Sequence, residues 1–254
     1  MNGRLAVVGL GPGAEDLRCP RASAALAEAS DLLGYGPYLE RVAPRAEQRR
    51  HASDNREEAD RARAALELAV SGRSVALVSG GDSGVFGMAT AVFEAIERGP
   101  PRWAALDVVV HPGVSAVLAA AARLGAPFGN DFCVLSLSDN LKPWSVIQAR
   151  LAAAAGAGLA LALYNPVSKA RPWQLGEALT LLRSELPGEV PVAFARAISR
   201  PDERVSVTTL AEAAGDTADM ATLVIIGTAE TRVITRAGHE PWLYTPRSVG
   251  RVSR

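Results

Sequence analysis

The sequence predicts an α/β protein of two α/β domains, with a mostly parallel first sheet and a mixed second sheet. Two observations carry that class. Through the first half, short apolar runs end in glycine or proline turns and give way to helical patterns, the alternation of a parallel sheet covered on both faces. In the second half the runs Val190 to Ala195 and Val205 to Leu210 have no long helix between them, so they pair antiparallel.

Leu5 to Leu10 reads as a buried strand, followed by Gly11-Pro12-Gly13 and a helix with Pro20 at its first position, where the missing N–H costs nothing. Leu32 and Leu33 lie in a second short strand. Glu57 to Val70 carries helical periodicity, Val75 to Val78 forms the next strand, and Val85 to Arg98 continues as a helix. Leu106 to Val110 ends at His111-Pro112-Gly113, and Val114 to Leu124 is a helix of small residues. The turn formers of Gly125 to Asp131 mark a boundary, giving domains 1–125 and 126–245 and a tail 246–254 holding Arg247, Arg251 and Arg254. Beyond it lie apolar runs at Phe132 to Leu137, Leu159 to Tyr164 and Thr222 to Gly227, with helices at Ser145 to Ala155 and Trp173 to Glu185.

Composition narrows the function. Lys+Arg 27 and Asp+Glu 27 cancel, so no global field recruits nucleic acid or a membrane surface. Cys19 and Cys133 are far apart and form no C-x-x-C pair, which fits a reduced, cytoplasmic setting. The apolar run near the start is too short for a signal peptide or a membrane span. His51, His111 and His239 have no acid or cysteine at ligand spacing, so no metal site is expected, and no nucleophile elbow is present.

The most informative stretch is Ser79 to Ala89, SGGDSGVFGMA, where a strand runs into a glycine turn that holds a carboxylate. Bare glycine turns expose backbone amides that usually suit phosphate, but Asp82 repels phosphate and the turn lacks the P-loop lysine. A cationic ligand such as S-adenosylmethionine fits better. The structural alternative is that Asp82 caps the following helix. Ser115, on the first turn of its helix, reads first as a cap as well. Gly9, Gly11 and Gly13 suggest a dinucleotide loop, but the sixth position is Ala14, and Asp31, at about the 20-residue distance of a ribose-binding acid, precedes its apolar run. The loop reads equally as a plain strand-to-helix turn. The 27 basic residues include just two lysines, Lys142 and Lys169, both following apolar runs.

Taken together, GLGPGAEDL (Gly9 to Leu17), SGGDSGVFGMA, HPGVSA (His111 to Ala116) and TLVIIG (Thr222 to Gly227) resemble the tetrapyrrole methylases, the S-adenosylmethionine-dependent enzymes of cobalamin and sirohaem synthesis. GYGPYL (Gly34 to Leu39), GAPFGNDFCVLSLSD (Gly125 to Asp139), Pro143-Trp144, ALYNPVS (Ala162 to Ser168) and VTTLAE (Val207 to Glu212) are similar to the branch that methylates precorrin-3B at carbon 17 with ring contraction. Cys19, Asn140 and Lys142 depart from the family pattern, which has Thr, Leu and Thr there.

The resemblance implies a homodimer with the cofactor in the cleft between the two domains and S-adenosyl-L-homocysteine as its product. It assigns the methionine end of the cofactor to Gly80, Gly81, Asp82, Ser83, Gly84, Val85 and Phe86 with Ser115 and Ala116, beside the Gly11-Pro12 loop. The adenosine end goes to Tyr164, Ala193 and Thr222. Asp82, Ser138 and Asp139 become candidates for moving protons. Lys142, Lys169, Arg171 and Arg196 become anchors for the acetate and propionate groups of the substrate. The alternatives are a methylase of the same fold acting on the cobalt-containing substrate or a neighbouring intermediate, an NAD-binding protein, and a non-catalytic tetrapyrrole carrier.

Overall fold

A computed structural model describes residues 3–248; Arg251 and Arg254 of the expected tail lie outside the described residues. The chain divides into two compact units after Ala116. In chain order it forms Arg4–Gly9 (β1), Pro20–Glu28 (α1), Asp31–Tyr35 (β2), Gly36–Leu39 (α2), Arg49–Ser53 (β3), Glu58–Val70 (α3), Ser74–Ser79 (β4), Met88–Arg98 (α4), Pro101–Ala104 (α5), Asp107–His111 (β5) and Ala116–Leu124 (α6). It continues with Gly125–Ala126 (β6), Phe132–Ser136 (β7), Trp144–Gly156 (α7), Ala160–Tyr164 (β8), Gln174–Glu185 (α8), Pro191–Arg196 (β9), Arg204–Thr209 (β10), Thr222–Ile226 (β11), Arg232–Arg236 (β12) and His239–Tyr244 (β13).

The first sheet has the order β3-β2-β4-β1-β5 and every neighbouring pair is parallel. Alternation along β1 shows why it is buried on both faces. Leu5 and Val7 point into one core with Ala62, Leu66 and Val92 of α3 and α4, while Ala6 and Val8 point into the other with Ala22 and Leu26 of α1. All strands therefore deliver their carboxyl ends, and the loops that follow, to one edge, where open α/β sheets bind ligands.

The second unit holds the order β10-β9-β11-β8-β7, in which β7–β8 is the one parallel neighbouring pair among the described residues. The expected antiparallel pair is present: Val205 faces Ala195 in the β9–β10 ladder. One face packs Leu161, Leu163, Val192, Phe194 and Val224 against Leu151, Leu175 and Leu179 of α7 and α8. A small sheet, β12-β13-β6, completes the unit.

Four features differ from the sequence reading. The chain divides after Ala116 rather than near Gly125, and Gly125 and Ala126 pair parallel with Leu243 and Tyr244 within the second unit. The β12–β13 hairpin that supplies Leu243 and Tyr244 was not expected either. β3, RRHAS, was not expected, because it is an edge strand whose residues are mostly exposed and carry no apolar period. α4 starts at Met88 rather than Val85, since Phe86 sits at φ 53° in the left-handed region and cannot continue a helix.

Candidate active site

Three loops leave the carboxyl ends of β1, β4 and β5, and glycine lets their backbones meet. Gly11 and Gly81 form an antiparallel bridge, with Gly81 N donating to the Gly11 carbonyl at 2.9 Å and Gly11 N returning at 3.1 Å. A Cβ on Gly113 would lie 2.2 Å from the Gly81 carbonyl oxygen, and one on Gly9 would lie 2.8 Å from the same atom. These glycines are needed for backbone approach rather than for phosphate.

Asp82 joins two of these loops. Its Oδ1 accepts from Gly84 N at 2.7 Å and its Oδ2 accepts from Gly113 N at 2.9 Å. It does not cap α4: the residue ahead of that helix is Gly87, and Met88 N donates instead to Ser79 Oγ at 3.3 Å. No basic side chain pairs with Asp82 among the described residues, so its negative charge stays at the loop surface, a setting that favours a cation.

The structure places Gly81 beside Ser115 and Ala116, while Gly80 faces the Tyr38 ring and Gly84 faces the Asp82 carboxylate. A Cβ on Gly81, which sits at φ 65°, would enter the gap bordered by Ser115 Cα at 3.7 Å and Ala116 N at 3.9 Å. Val85 and Phe86 are exposed at the loop tip, Phe86 to 55%, and Pro12 is buried beside Gly11. Ser83 turns the other way: it is fully buried and its hydroxyl points to the carbonyls of His111 at 3.2 Å and Val7 at 3.4 Å. Its side chain therefore ties the turn to β1 and β5. Ser115 is buried and lies just ahead of α6 rather than inside its first turn.

In the second unit, strand register gathers another group at one sheet end. Ser136 is opposite Tyr164, and Thr222 is opposite Arg196. Tyr164 Oη accepts from Val117 N at 2.9 Å. Thr222 Oγ1 donates to Asp219 Oδ1 at 2.8 Å, and Asp219 Oδ2 accepts from Arg196 Nε at 2.7 Å. Burial would raise the Asp219 pKa, but hydrogen bonds from Thr222, Arg196 and the Ala221 amide bring it below the ordinary value. Arg196 also binds Asp202 at 2.8 Å, which with Asp219 raises its own pKa, so two carboxylates already hold this expected anchor. Ala193 lies three residues from Arg196 into β9, wholly buried.

Asp139 Oδ1 accepts from Arg171 and from Gln174 Nε2, the latter at 2.9 Å, and Arg171 also reaches Asn140. Arg171 is thus engaged in shaping the Ser138 to Lys142 loop. Ser138 N donates to Ser136 Oγ at 3.3 Å, and Asn165 Nδ2 donates to the same oxygen at 2.9 Å. Lys169 is exposed, and Leu141 at the loop tip is 99% exposed. Lys142 is half-buried, and burial followed by the nearby Arg150 lowers its pKa. Among the described residues no carboxylate pairs with Lys142.

Sequence reasoning missed the backbone signal. Phe86, Asn165, Ala197 and Ser199 all take positive φ in loops after β4, β8 and β9, a strained choice that concentrates at ligand sites. Among the described residues no cluster of His, Cys, Asp and Glu could hold a metal ion, and no helix is long and apolar enough to cross a membrane.

A family model described as tetrapyrrole (corrin/porphyrin) methylases matches residues 4–214. The precorrin-3B C(17)-methyltransferase of Sinorhizobium sp is 58% identical over 247 residues, covering 97% of each chain. The crystal structure of the methyltransferase CobJ superposes with a TM-score of 0.91 at 50% identity, covering 96% of this chain and 100% of that one. The uroporphyrin-III C-methyl transferase of Thermus thermophilus, solved with S-adenyl homocysteine, gives a TM-score of 0.67 at 25% identity over 89% of this chain and 97% of that one.

Proposed function

This chain belongs to the tetrapyrrole (corrin/porphyrin) methylase family, and we propose that it methylates precorrin-3B at carbon 17, contracting the ring to give precorrin-4 in cobalamin synthesis. It is a methyltransferase that uses S-adenosylmethionine. The observation that carries the reading is 58% identity spread over 97% of both chains to a relative named for that substrate and position.

Bound S-adenosylmethionine supplies an electrophilic methyl on a sulfonium. Displacement at such a methyl needs no protein nucleophile, so the chain's residues orient the partners and exclude water. Gly81, with Ser115 and Ala116 beside it, offers bare backbone to the methionine end, to which Gly80 and Gly84 are also assigned, and the charge of Asp82, which no basic side chain among the described residues offsets, favours the sulfonium and the amino group. Tyr164, Ala193 and Thr222 are assigned to the adenosine end. Lys142 is the carboxylate anchor with the strongest case, since its ammonium is half-buried and lacks an acidic partner among the described residues. Lys169 adds an exposed cation. Arg171 and Arg196 act through the loops they hold. Ser138 and Asp139 lie beside Lys142 in sequence and are the groups assigned to proton movement during contraction; Asp82 serves first as the bridge between loops.

A homodimer working in the cytoplasm completes the reading, and sedimentation at equilibrium tests its mass. The function itself is tested by incubating the purified protein with labelled S-adenosylmethionine and either precorrin-3B or its cobalt analogue. Label in the metal-free substrate supports the proposal, and label confined to the cobalt analogue replaces it with the related cobalt activity.

A further inference from the structure

Arg61 is 6% exposed on α3, yet among the described residues no carboxylate pairs with it. Its donors go to three different segments. Nε donates to Ser53 Oγ at 2.6 Å, Nη2 to the Asp54 carbonyl at 2.5 Å, and Nη1 to Met88 Sδ at 3.4 Å. Burial lowers its pKa while the charges of Glu58 and Glu57 pull it back up. A buried cation without a counter-charge is unfavourable unless its donors are satisfied, so the arrangement calls for a reason beyond packing.

The three acceptors supply one. Ser53 ends β3, Asp54 opens the turn into α3, and Met88 is the first residue of α4, directly after the Gly80 to Gly87 loop. Met88 is therefore held twice: its amide donates to Ser79 Oγ at the end of β4, and its sulfur accepts from Arg61. Ser79 and Met88 are the two stems of the loop. Between them Phe86 is fixed at φ 53°, and a Cβ on Gly87 would lie 2.6 Å from the Ser83 carbonyl oxygen. On the other side, the Tyr38 ring lies so close to Gly80 that a Cβ there would sit 2.7 Å from it.

We propose that Arg61 is a positioning residue for the methyl donor: through Met88 it fixes the stem of the cofactor loop, without touching the cofactor. A guanidinium suits this role because its planar fork sends donors from three separate nitrogens to acceptors on three segments, whereas the three donors of a lysine ammonium all leave one nitrogen. The inference rests on the reading of Gly80 to Gly87 as the cofactor loop.

The test compares Arg61→Lys, Met88→Leu and the double variant by calorimetry with S-adenosylhomocysteine, by melting temperature, and by KM and kcat with precorrin-3B. Arg61→Lys is expected to weaken S-adenosylhomocysteine about tenfold, the loss of one hydrogen bond from a charged donor. The KM for precorrin-3B should stay within about twofold. Met88→Leu, which keeps the packing and removes the sulfur, should weaken binding in the same direction. The double variant should bind no worse than Arg61→Lys alone, because both act through one contact. A lower melting temperature with unchanged affinity would make Arg61 a stability residue and overturn the proposal, as would additive losses. Should Arg61→Lys fail to fold, unchanged affinity in Met88→Leu overturns it equally. A wild-type protein that ignores S-adenosylhomocysteine is a different result, which removes the cofactor reading beneath it.

Discussion

Replacing Asp82 by Asn separates the two roles open to this carboxylate. Asn keeps the shape but brings one acceptor where the loops present two donors, Gly84 N at 2.7 Å and Gly113 N at 2.9 Å. Its amide group must then face one of those N–H groups. Hydrogen bonds to a charged acceptor contribute about 1.5–3 kcal/mol each, and the exposure of Gly84 argues for the lower end, so we expect a loss of about 2 kcal/mol. For a chain of this size that is a fall of about 4–8 °C in melting temperature. The assay pairs thermal melting with S-adenosylhomocysteine calorimetry. The bridging role predicts that both decline, because Gly113 and Gly81 lose their mutual placement. An unchanged melting temperature with a collapse in affinity would refute the bridge and put Asp82 in direct contact with the cofactor. If neither quantity moves, Asp82 has no role in binding or in holding the loops.

Lys142→Ala should raise the KM for the tetrapyrrole about tenfold with kcat within about twofold, the pattern of a lost binding contact. Steady-state kinetics reads this, and a change confined to kcat removes Lys142 from the anchoring role. Because burial lowers the Lys142 pKa, the wild-type KM should begin to rise with pH below the ordinary 10.5, and the variant should lack that rise. Asp31 is fully buried; burial alone would raise its pKa, but hydrogen bonds from Arg73, His51 and Ser30 hold it below 3.8. A depressed carboxylate stabilises the fold above its unfolded pKa of 3.8 and loses that contribution as pH falls through the lower folded value. Asp31→Asn should therefore cost about 3 kcal/mol at neutral pH and flatten the acid side of the stability profile, measured by urea unfolding. An acid profile identical to the parent would contradict this.

Much of the fold was legible because strands buried on both faces must be apolar throughout. β1, β4, β8 and β11 announce themselves that way, and Pro20 marks the start of α1 as the missing N–H predicts. β3 and the β12–β13 hairpin stayed hidden because their residues are largely exposed, and apolar periodicity reports burial rather than pairing. The glycine loops were legible as tight turns at strand ends, but the partners of Asp82 and Ser83 were not. Both side chains reach residues of the β5 end, 31 and 28 positions away, through contacts no local pattern encodes. The arginines misled for a related reason. Arg171 and Arg196 look like free cations in sequence, and only the folded chain shows Asp139, Asp202 and Asp219 beside them.

The central claim is methyl transfer to precorrin-3B, and it is tested most directly by the product. Purified protein given precorrin-3B and S-adenosylmethionine carrying a carbon-13 methyl should yield a tetrapyrrole heavier by one labelled methyl. Nuclear magnetic resonance should place that methyl on carbon 17 of a ring-contracted skeleton. A substrate recovered unmethylated, or methylated elsewhere on an uncontracted ring, would contradict the account.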